Sequence, residues 1–151
     1  MAKSIRTEII ISASSDKVWN IFTKFEDYPK WNPFITSLEG VVESGSKITV
    51  KIHPPKGKEM IFKPTITEKI RYKKLCWKGK VLFRGLFDGE HKFELIDNSD
   101  NTVTFVQSEK FTGIFSSIFS VDKTKEGFIL MNKKLKELSE QKPNLCYKHY
   151  L

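Results

Sequence analysis

Three polar side chains suited to acid–base chemistry fall on the apolar faces of two consecutive predicted strands. In Leu86–Ile96 the even positions are mostly charged and the odd positions mostly apolar, so the odd face, with His91, is predicted to point inward. In Thr102–Thr112 the odd face is apolar at both ends and carries Gln107 and Glu109. A register that keeps the two apolar faces together places His91 opposite Gln107 or Glu109, at a separation of about 5 Å.

An imidazole beside a carboxylate supports two interpretations. In the first, His91 is a general base polarised by Glu109, while Gln107 and Asn132 hold a carbonyl oxygen of a substrate. In the second, His91 is a core histidine whose ring nitrogens are satisfied by Gln107 or Glu109. The convergence of three polar groups on one spot is also what anchors a ligand in an otherwise apolar pocket.

Aromatic and aliphatic side chains surround that polar patch in the predicted sheet. The inward positions of the earlier strands are Ile48, Val50, Ile52, Met60, Phe62, Ile66, Leu75, Trp77, Gly79, Val81 and Phe83. We therefore expect an apolar cavity that binds a small hydrophobic molecule, although a filled core would show the same pattern. The predicted ligand-binding residues are Trp31, Phe34, Trp77, Phe87, His91, Phe93, Phe105, Gln107, Glu109, Phe128, Met131 and Asn132. Trp31, Asn32 and Phe34 either form part of the mouth or cap the sheet.

The elements that must position these side chains follow from periodicity. Ile5–Ser12 alternates as a strand, Ser14 is a candidate N-cap, and helical spacing follows, with a second short turn ended by prolines. Six strands come next: Thr36–Glu43, Ser46–His53, Lys58–Ile70, Lys74–Arg84, Leu86–Ile96 and Thr102–Thr112. Pro64 predicts an interruption of the third of these. The last element is an amphipathic helix over Val121–Leu138, whose inward stripe is Val121, Thr124, Phe128, Met131, Leu135 and Leu138.

This order predicts an α+β protein with a curved seven-stranded antiparallel sheet around a long C-terminal helix and two short helices after the first strand. Residues 1–142 form a single domain in this interpretation, and residues 143–151 form a loose tail. The even positions of Lys74–Arg84 are mostly basic and are predicted to face outward.

Composition and charge narrow the function classes. The net charge of +8 permits an anionic partner, but the rings point inward rather than between the lysines, so we expect no nucleic acid. Peripheral membrane contact is compatible with the charge, whereas no apolar run is long enough for a transmembrane segment. The two cysteines and three histidines show no metal-site spacing, so we expect no metal and no cofactor. These features indicate a cytoplasmic protein and leave the oligomeric state open.

Several segments resemble the START-like (SRPBCC) superfamily, and more narrowly its polyketide cyclase/dehydrase-like group. The matching stretches are Ile11–Ala13, Val18-Trp19, Phe25–Phe34 (FEDYPKWNPF), Trp77–Gly79, Gly85–His91 (GLFDGEH), Glu109–Gly113, Gly127-Phe128 and Met131–Lys136. The resemblance implies the helix-grip fold from Ile5 to about Glu140. It implies no particular catalytic residues, because members of this superfamily bind lipids, sterols, hormones or polyketides and the enzymes among them use different residues.

Three functions are compatible with these features. The first is a carrier, sensor or sequestering protein for a hydrophobic or amphipathic molecule. The second is a cofactor-independent cyclase, dehydratase or isomerase with His91 or Glu109 at its centre. The third is an interaction module that uses Lys74, Lys78, Lys80 and Arg84 on the outer sheet to bind an acidic partner. We expect the first and treat the others as alternatives.

Overall fold

The computed structural model describes residues 3–80, 88–113 and 120–142. Eight strands are present in this part of the chain: β1 (Lys3–Ile11), β2 (Ile35–Glu39), β3 (Thr49–Ile52), β4 (Met60–Phe62), β5 (Thr65–Ile70), β6 (Lys74–Lys80), β7 (Asp88–Asp97) and β8 (Val103–Thr112). The helices are α1 (Ser15–Phe22), α2 (Tyr28–Trp31) and α3 (Val121–Glu140), with a 3₁₀ turn at Phe25–Asp27. This is the predicted α+β helix-grip architecture, in which the long C-terminal helix packs against an antiparallel sheet.

The sheet is divided, so the predicted number of strands in one sheet was wrong. A five-stranded sheet has the order β1-β8-β7-β6-β5, and a three-stranded sheet has the order β2-β3-β4. The single strand predicted over Lys58–Ile70 is β4 and β5, separated at Pro64, which has no N–H to donate to a ladder. The carbonyl of Pro64 still accepts a hydrogen bond from Ile48 N (2.9 Å), and a bridge joins Lys47 to Thr65, so the two sheets remain in contact.

The short helices begin as the sequence predicts, but one proline has a different role. Ser14 caps α1, and its side chain accepts a hydrogen bond from the backbone N–H of Lys17. Pro29 was expected to end a helical turn. It instead lies in the first turn of α2, where its missing N–H has no partner to lose.

Helix α3 packs along β1 and α1 with one apolar face. Ser120 caps it by accepting a hydrogen bond from Lys123 N. The buried face carries Thr124, Gly127, Phe128, Met131, Asn132, Leu135 and Ser139. The predicted stripe is confirmed except at its ends, where Val121 and Leu138 are only half-buried and Ser139 is buried instead.

Strand parity is confirmed in the described residues, although Cys76 and Val106 on the opposite face are buried as well. The odd positions of β7 and β8 are buried from His91 to Leu95 and from Val103 to Gln107, and Phe111 is buried too. Leu75 and Trp77 of β6 point inward with them, as do Val50 and Ile52 of β3. The predicted inward residues Val81, Phe83 and Phe87 lie outside the described residues. No helix in the described ranges is long and apolar enough to cross a membrane.

Candidate functional site

The polar patch forms where β7 and β8 pair. The register sets His91 opposite Glu109 and Phe93 opposite Gln107. The His91 ring contacts both partners: Nδ1 lies 3.0 Å from Glu109 Oε2, and Nε2 lies 2.9 Å from Gln107 Oε1. The prediction that His91 meets one of these two residues is therefore confirmed for both at once.

The hydrogen bonds continue from Gln107 into the helix and the first strand. Gln107 Nε2 donates to Asn132 Oδ1 (2.9 Å) and approaches Met131 Sδ (3.8 Å). Asn132 Nδ2 donates to Thr7 Oγ1 (2.9 Å), whose hydroxyl donates to the backbone carbonyl of Gln107 (3.1 Å). These polar groups form a chain, which we call the buried relay, defined by Thr7, Asn132, Gln107, His91 and Glu109.

Aromatic rings enclose the imidazole of His91. The Phe93 ring stacks on it with a centroid separation of 4.3 Å and an interplanar angle of 20°. The rings of Phe128 and Trp77 lie at 4.9 and 5.2 Å. The ring is thus held in place by packing on several sides as well as by hydrogen bonds at both nitrogens.

An apolar cavity opens beside His91 and Glu109. It has a volume of about 40 Å³, room for about three water molecules. The residues that line it are Phe34, Ile35, Val50, Ile52, Phe62, Pro64, Trp77, Gly79, Gly89, His91 and Glu109. Phe62, Gly79, Gly89 and Glu109 are partly exposed and form its accessible side, whereas Phe34, Ile35 and Val50 are buried and form its floor.

The twelve predicted ligand-binding residues separate into groups around this cavity. Phe34, Trp77, His91 and Glu109 line it. A second group is buried behind that lining and consists of Phe93, Phe105, Gln107, Phe128, Met131 and Asn132. Trp31 is half-buried away from the cavity, with its ring against Tyr28, and Phe87 lies outside the described residues. The ligand-binding role of the whole set stays a prediction.

The structure gives Gln107 and Asn132 a different task from the one expected of them. Both side chains are buried, and their amides bond to each other and to the rest of the relay. Neither side chain lines the cavity where a substrate carbonyl would lie. Glu109, by contrast, lines the cavity, and 16% of its side-chain surface is exposed.

Asn32 explains the turn that follows α2. Its Oδ1 accepts hydrogen bonds from the backbone N–H groups of Phe34 (3.0 Å) and Ile35 (2.9 Å). This turn presents Phe34 to the cavity floor and to Phe128, at a ring separation of 5.4 Å. Of the two interpretations of this loop, capping of the sheet describes Asn32, while Phe34 belongs to the cavity wall.

Three residues of the site were not predicted. Thr7 closes the relay, and its position between Ile5 and Ile9 on the inward face of β1 was the available signal. Ile35 and Pro64 line the cavity. Pro64 packs close to Gly79: a Cβ at Gly79 would lie 3.3 Å from the Pro64 Cβ, so a larger residue there would press on the proline.

Lys74 and Lys78 lie on the outer face of the sheet, as predicted, and the Lys80 side chain and Arg84 lie outside what the structure describes. Cys76 points to this face but is buried, and burial raises the pKa of its thiol above the ordinary value. Lys74 pairs with Glu68 at 3.1 Å, and Lys78 with Glu90 at 4.0 Å. A broad outer groove also forms there, lined by Lys47, Lys63, Thr65, Lys78, Gly79, Asp88, Gly89, Glu90, Lys110 and Thr112. The acidic residues offset part of its positive charge.

No group of three or more His, Cys, Asp or Glu side chains within residues 3–80, 88–113 and 120–142 has an arrangement that could hold a metal ion. His91 and Glu109 are already engaged with each other. The chemistry that the arrangement itself offers is hydrogen bonding and proton transfer at the Glu109 carboxyl group.

The two sheets and the long helix form a helix-grip fold, and the cavity lies between the sheets. The chain belongs to the family described as polyketide cyclase/dehydrase and lipid transport, whose sequence model matches residues 2–128. No curated protein sequence matches it.

Solved structures share the fold at low sequence identity. Major latex-like protein 151 of Panax ginseng superposes with a TM-score of 0.75 at 14% identity, covering 93% of this chain and 99% of its own. A START superfamily protein of Mycobacterium smegmatis gives 0.69 at 14% identity, covering 91% and 97%. The di-domain ARO/CYC BexL of the BE-7585A biosynthetic pathway gives 0.70 at 10% identity, covering 94% of this chain and 51% of its own.

Proposed function

We propose that this protein binds a small hydrophobic or amphipathic molecule in the cavity between the two sheets, as a carrier, sensor or sequestering protein. The observation that carries the proposal is an apolar cavity that ends on one partly exposed carboxylate. Sites for small molecules combine apolar walls with a few placed polar groups in this way. Membership of a family described by polyketide chemistry and lipid transport supports a ligand of this kind.

The size of the cavity sets a requirement on binding. A volume of about 40 Å³ is well below the roughly 300–1,000 Å³ of typical ligand pockets, so side chains must move when a ligand enters. Phe62 lies on the accessible side of the cavity and is half-buried. The floor residues Phe34, Ile35 and Val50 are buried and would stay in place.

Native mass spectrometry of the purified protein, followed by denaturing extraction, tests the proposal. We expect a stoichiometric apolar adduct, or a rise in melting temperature with members of a lipid and aromatic library. Ile52→Phe fills the cavity and should reduce both effects. Ile61→Phe adds the same ring at a neighbouring position that is 59% exposed, and should leave them unchanged. A clean mass without stabilisation by any compound would contradict ligand binding.

A second function, catalysis by a cyclase or dehydratase, is favoured by the contact between His91 and Glu109. In the version that fits the geometry, the Glu109 carboxylate takes a proton from carbon beside a carbonyl of the ligand, and His91 positions that carboxylate. The family description, which names polyketide cyclases and dehydrases, makes polyketides the substrates to try first. Unchanged turnover in Glu109→Gln would remove this mechanism.

A further inference from the structure

The hydrogen bonds of the buried relay all run from donor to acceptor in a defined order, and that order decides whether a ligand in the cavity meets a donor or an acceptor. The hydroxyl of Thr7 donates to the backbone carbonyl of Gln107, so its oxygen is left to accept from Asn132 Nδ2. Asn132 Oδ1 then accepts from Gln107 Nε2, which also faces the weak acceptor Met131 Sδ. Gln107 Oε1 is therefore the atom that faces His91.

The proton count at His91 follows from that orientation. Gln107 Oε1 is an acceptor, so His91 Nε2 carries a hydrogen. The Nδ1 atom faces Glu109 Oε2 at 3.0 Å, and one proton lies in that contact, either on the ring or on the carboxyl group. If the amides ran in the reverse direction, Nε2 would accept and Nδ1 would still hold a proton toward Glu109.

Glu109 Oε2 is thus engaged with a proton in every arrangement, and the second oxygen, Oε1, is an acceptor in every arrangement. Among the described residues, Oε1 has no hydrogen-bond partner, and the side chain lines the cavity with 16% of its surface exposed. The other polar lining residue, His91, has both ring nitrogens occupied. The relay therefore presents an acceptor to the cavity and no donor.

We propose that the ligand of this cavity is an uncharged apolar molecule that carries one hydroxyl or N–H donor, such as a phenol, and that Glu109 Oε1 accepts its hydrogen bond. This inference rests on the proposed function, because it names the chemical class bound at the same site. A carboxylate ligand such as an ionised fatty acid offers no donor and meets a second set of oxygen lone pairs. An ether of the same shape fills the apolar space but leaves Oε1 unpartnered.

Three probes of matched shape test the inference: 2-naphthol, 2-methoxynaphthalene and 2-naphthoate, titrated calorimetrically at pH 7. We expect 2-naphthol to bind about tenfold more tightly than the ether, because the ether leaves Glu109 Oε1 without a hydrogen bond. The naphthoate should bind most weakly. Equal binding of naphthol and ether, or tightest binding of the naphthoate, would overturn the proposal while leaving ligand binding intact. If no probe binds, the proposed function fails, and this inference fails with it.

Variants show whether the preference belongs to Glu109. Glu109→Leu removes both oxygens and should abolish the preference for naphthol over the ether. Glu109→Gln preserves hydrogen bonding to His91 and should reduce the preference severalfold, because a neutral acceptor is weaker than a charged one. It provides the test if the leucine variant does not fold. Glu90→Gln changes an outward-facing carboxylate on the neighbouring strand β7; it is the control and should keep the full preference. An unchanged preference in both Glu109 variants would contradict the role assigned to Glu109.

Discussion

One face of strands β7 and β8 points to the interior, and its two ends differ in how tightly they are packed. At one end, which we call the closed end, the rings of Phe22, Phe93 and Phe105 are fully buried, with Phe22 at 4.8 Å from Phe93 and 5.5 Å from Phe105. At the other, which we call the cavity end, Gly79 pairs with Gly89, and Glu109 is partly exposed. The same alternation places side chains inward at both ends.

The two ends differ in the size of the side chains at their inward positions. At the closed end a ring on α1 reaches the sheet, whereas the glycine pair at the cavity end contributes no side chain to the inward face. The position of a residue in the strand decides to which side of the sheet its side chain points. Whether a cavity remains on that side depends on the volume of each side chain and on the element packed opposite it. The cavity therefore lies at one end of the sheet.

The largest expected effect is the loss of packing at the closed end. Phe93→Ala removes a ring that contacts Phe22, Trp77 and His91, and should lower the free energy of unfolding by about 3–5 kcal/mol. Phe62→Ala at the cavity end is the matched control; since Phe62 is half-buried, it should cost less than half as much. Urea denaturation measures both. Equal losses would remove the distinction between the two ends.

The buried relay lies between the two ends and should be the next most sensitive region. Gln107→Leu leaves His91 Nε2 and Asn132 Oδ1 buried without partners, at a cost of about 2–4 kcal/mol. Ser108→Ala, on the opposite face of the same strand, should change the free energy of unfolding by less than about 0.5 kcal/mol. Chemical denaturation of the two variants decides whether the relay stabilises the fold.

A smaller effect is expected where α3 meets the cavity floor. A Cβ at Gly127 would lie 2.2 Å from Phe34 Cδ1, so Gly127→Ala must displace that ring. We expect a net loss of about 1–2 kcal/mol, because overpacking exceeds the roughly 1 kcal/mol gained from the helix propensity of alanine. In a Phe34→Leu background the substitution should cost less. A double-mutant cycle on thermal or urea stability measures this coupling, and additive effects would contradict the contact.

The smallest effect concerns the pH dependence of the closed end. Burial raises the pKa of Tyr28 well above its ordinary value of 10.0, and its hydroxyl donates to the carbonyl of Phe22. The folded state therefore retains this proton at pH values where the unfolded chain loses it. Its contribution is complete below pH 10 and falls by about 1.4 kcal/mol per pH unit above it. The stability difference between wild type and Tyr28→Phe should shrink accordingly above pH 10, and a constant difference would mean that the hydroxyl titrates normally.

The sequence of this protein predicts which side chains point inward and which strands are neighbours better than it predicts where a cavity remains. Alternation predicts that His91 faces Gln107 or Glu109, without deciding between the two registers, and Pro64 correctly marks the interruption of a strand. The division into two sheets was missed, because an interruption at Pro64 does not by itself reveal that the pairing partner changes from β3 before it to β6 after it. The orientations of the Gln107 and Asn132 amides depend on Thr7, which is about a hundred residues away in the chain.

The lining of the cavity was predicted only in part. Phe34, Trp77, His91 and Glu109 were expected in it, but Phe93, Phe105 and Phe128, equally apolar and equally inward, are packed behind it. Periodicity does not reveal which inward ring meets another ring and which meets empty space, since that depends on contacts between distant elements. Ile35 and Pro64 line the cavity for the same reason: contacts between distant elements bring them there.

Chemical-shift mapping with ¹⁵N-labelled protein and 2-naphthol tests most directly the claim that binding belongs to the cavity end. We expect saturable shifts centred on the amides of Gly79, Gly89 and Glu109 and on the Trp77 indole, with little change at Phe22 and Phe105. Shifts centred on the outer lysines Lys47, Lys63 and Lys110, or on the closed end, would contradict the account.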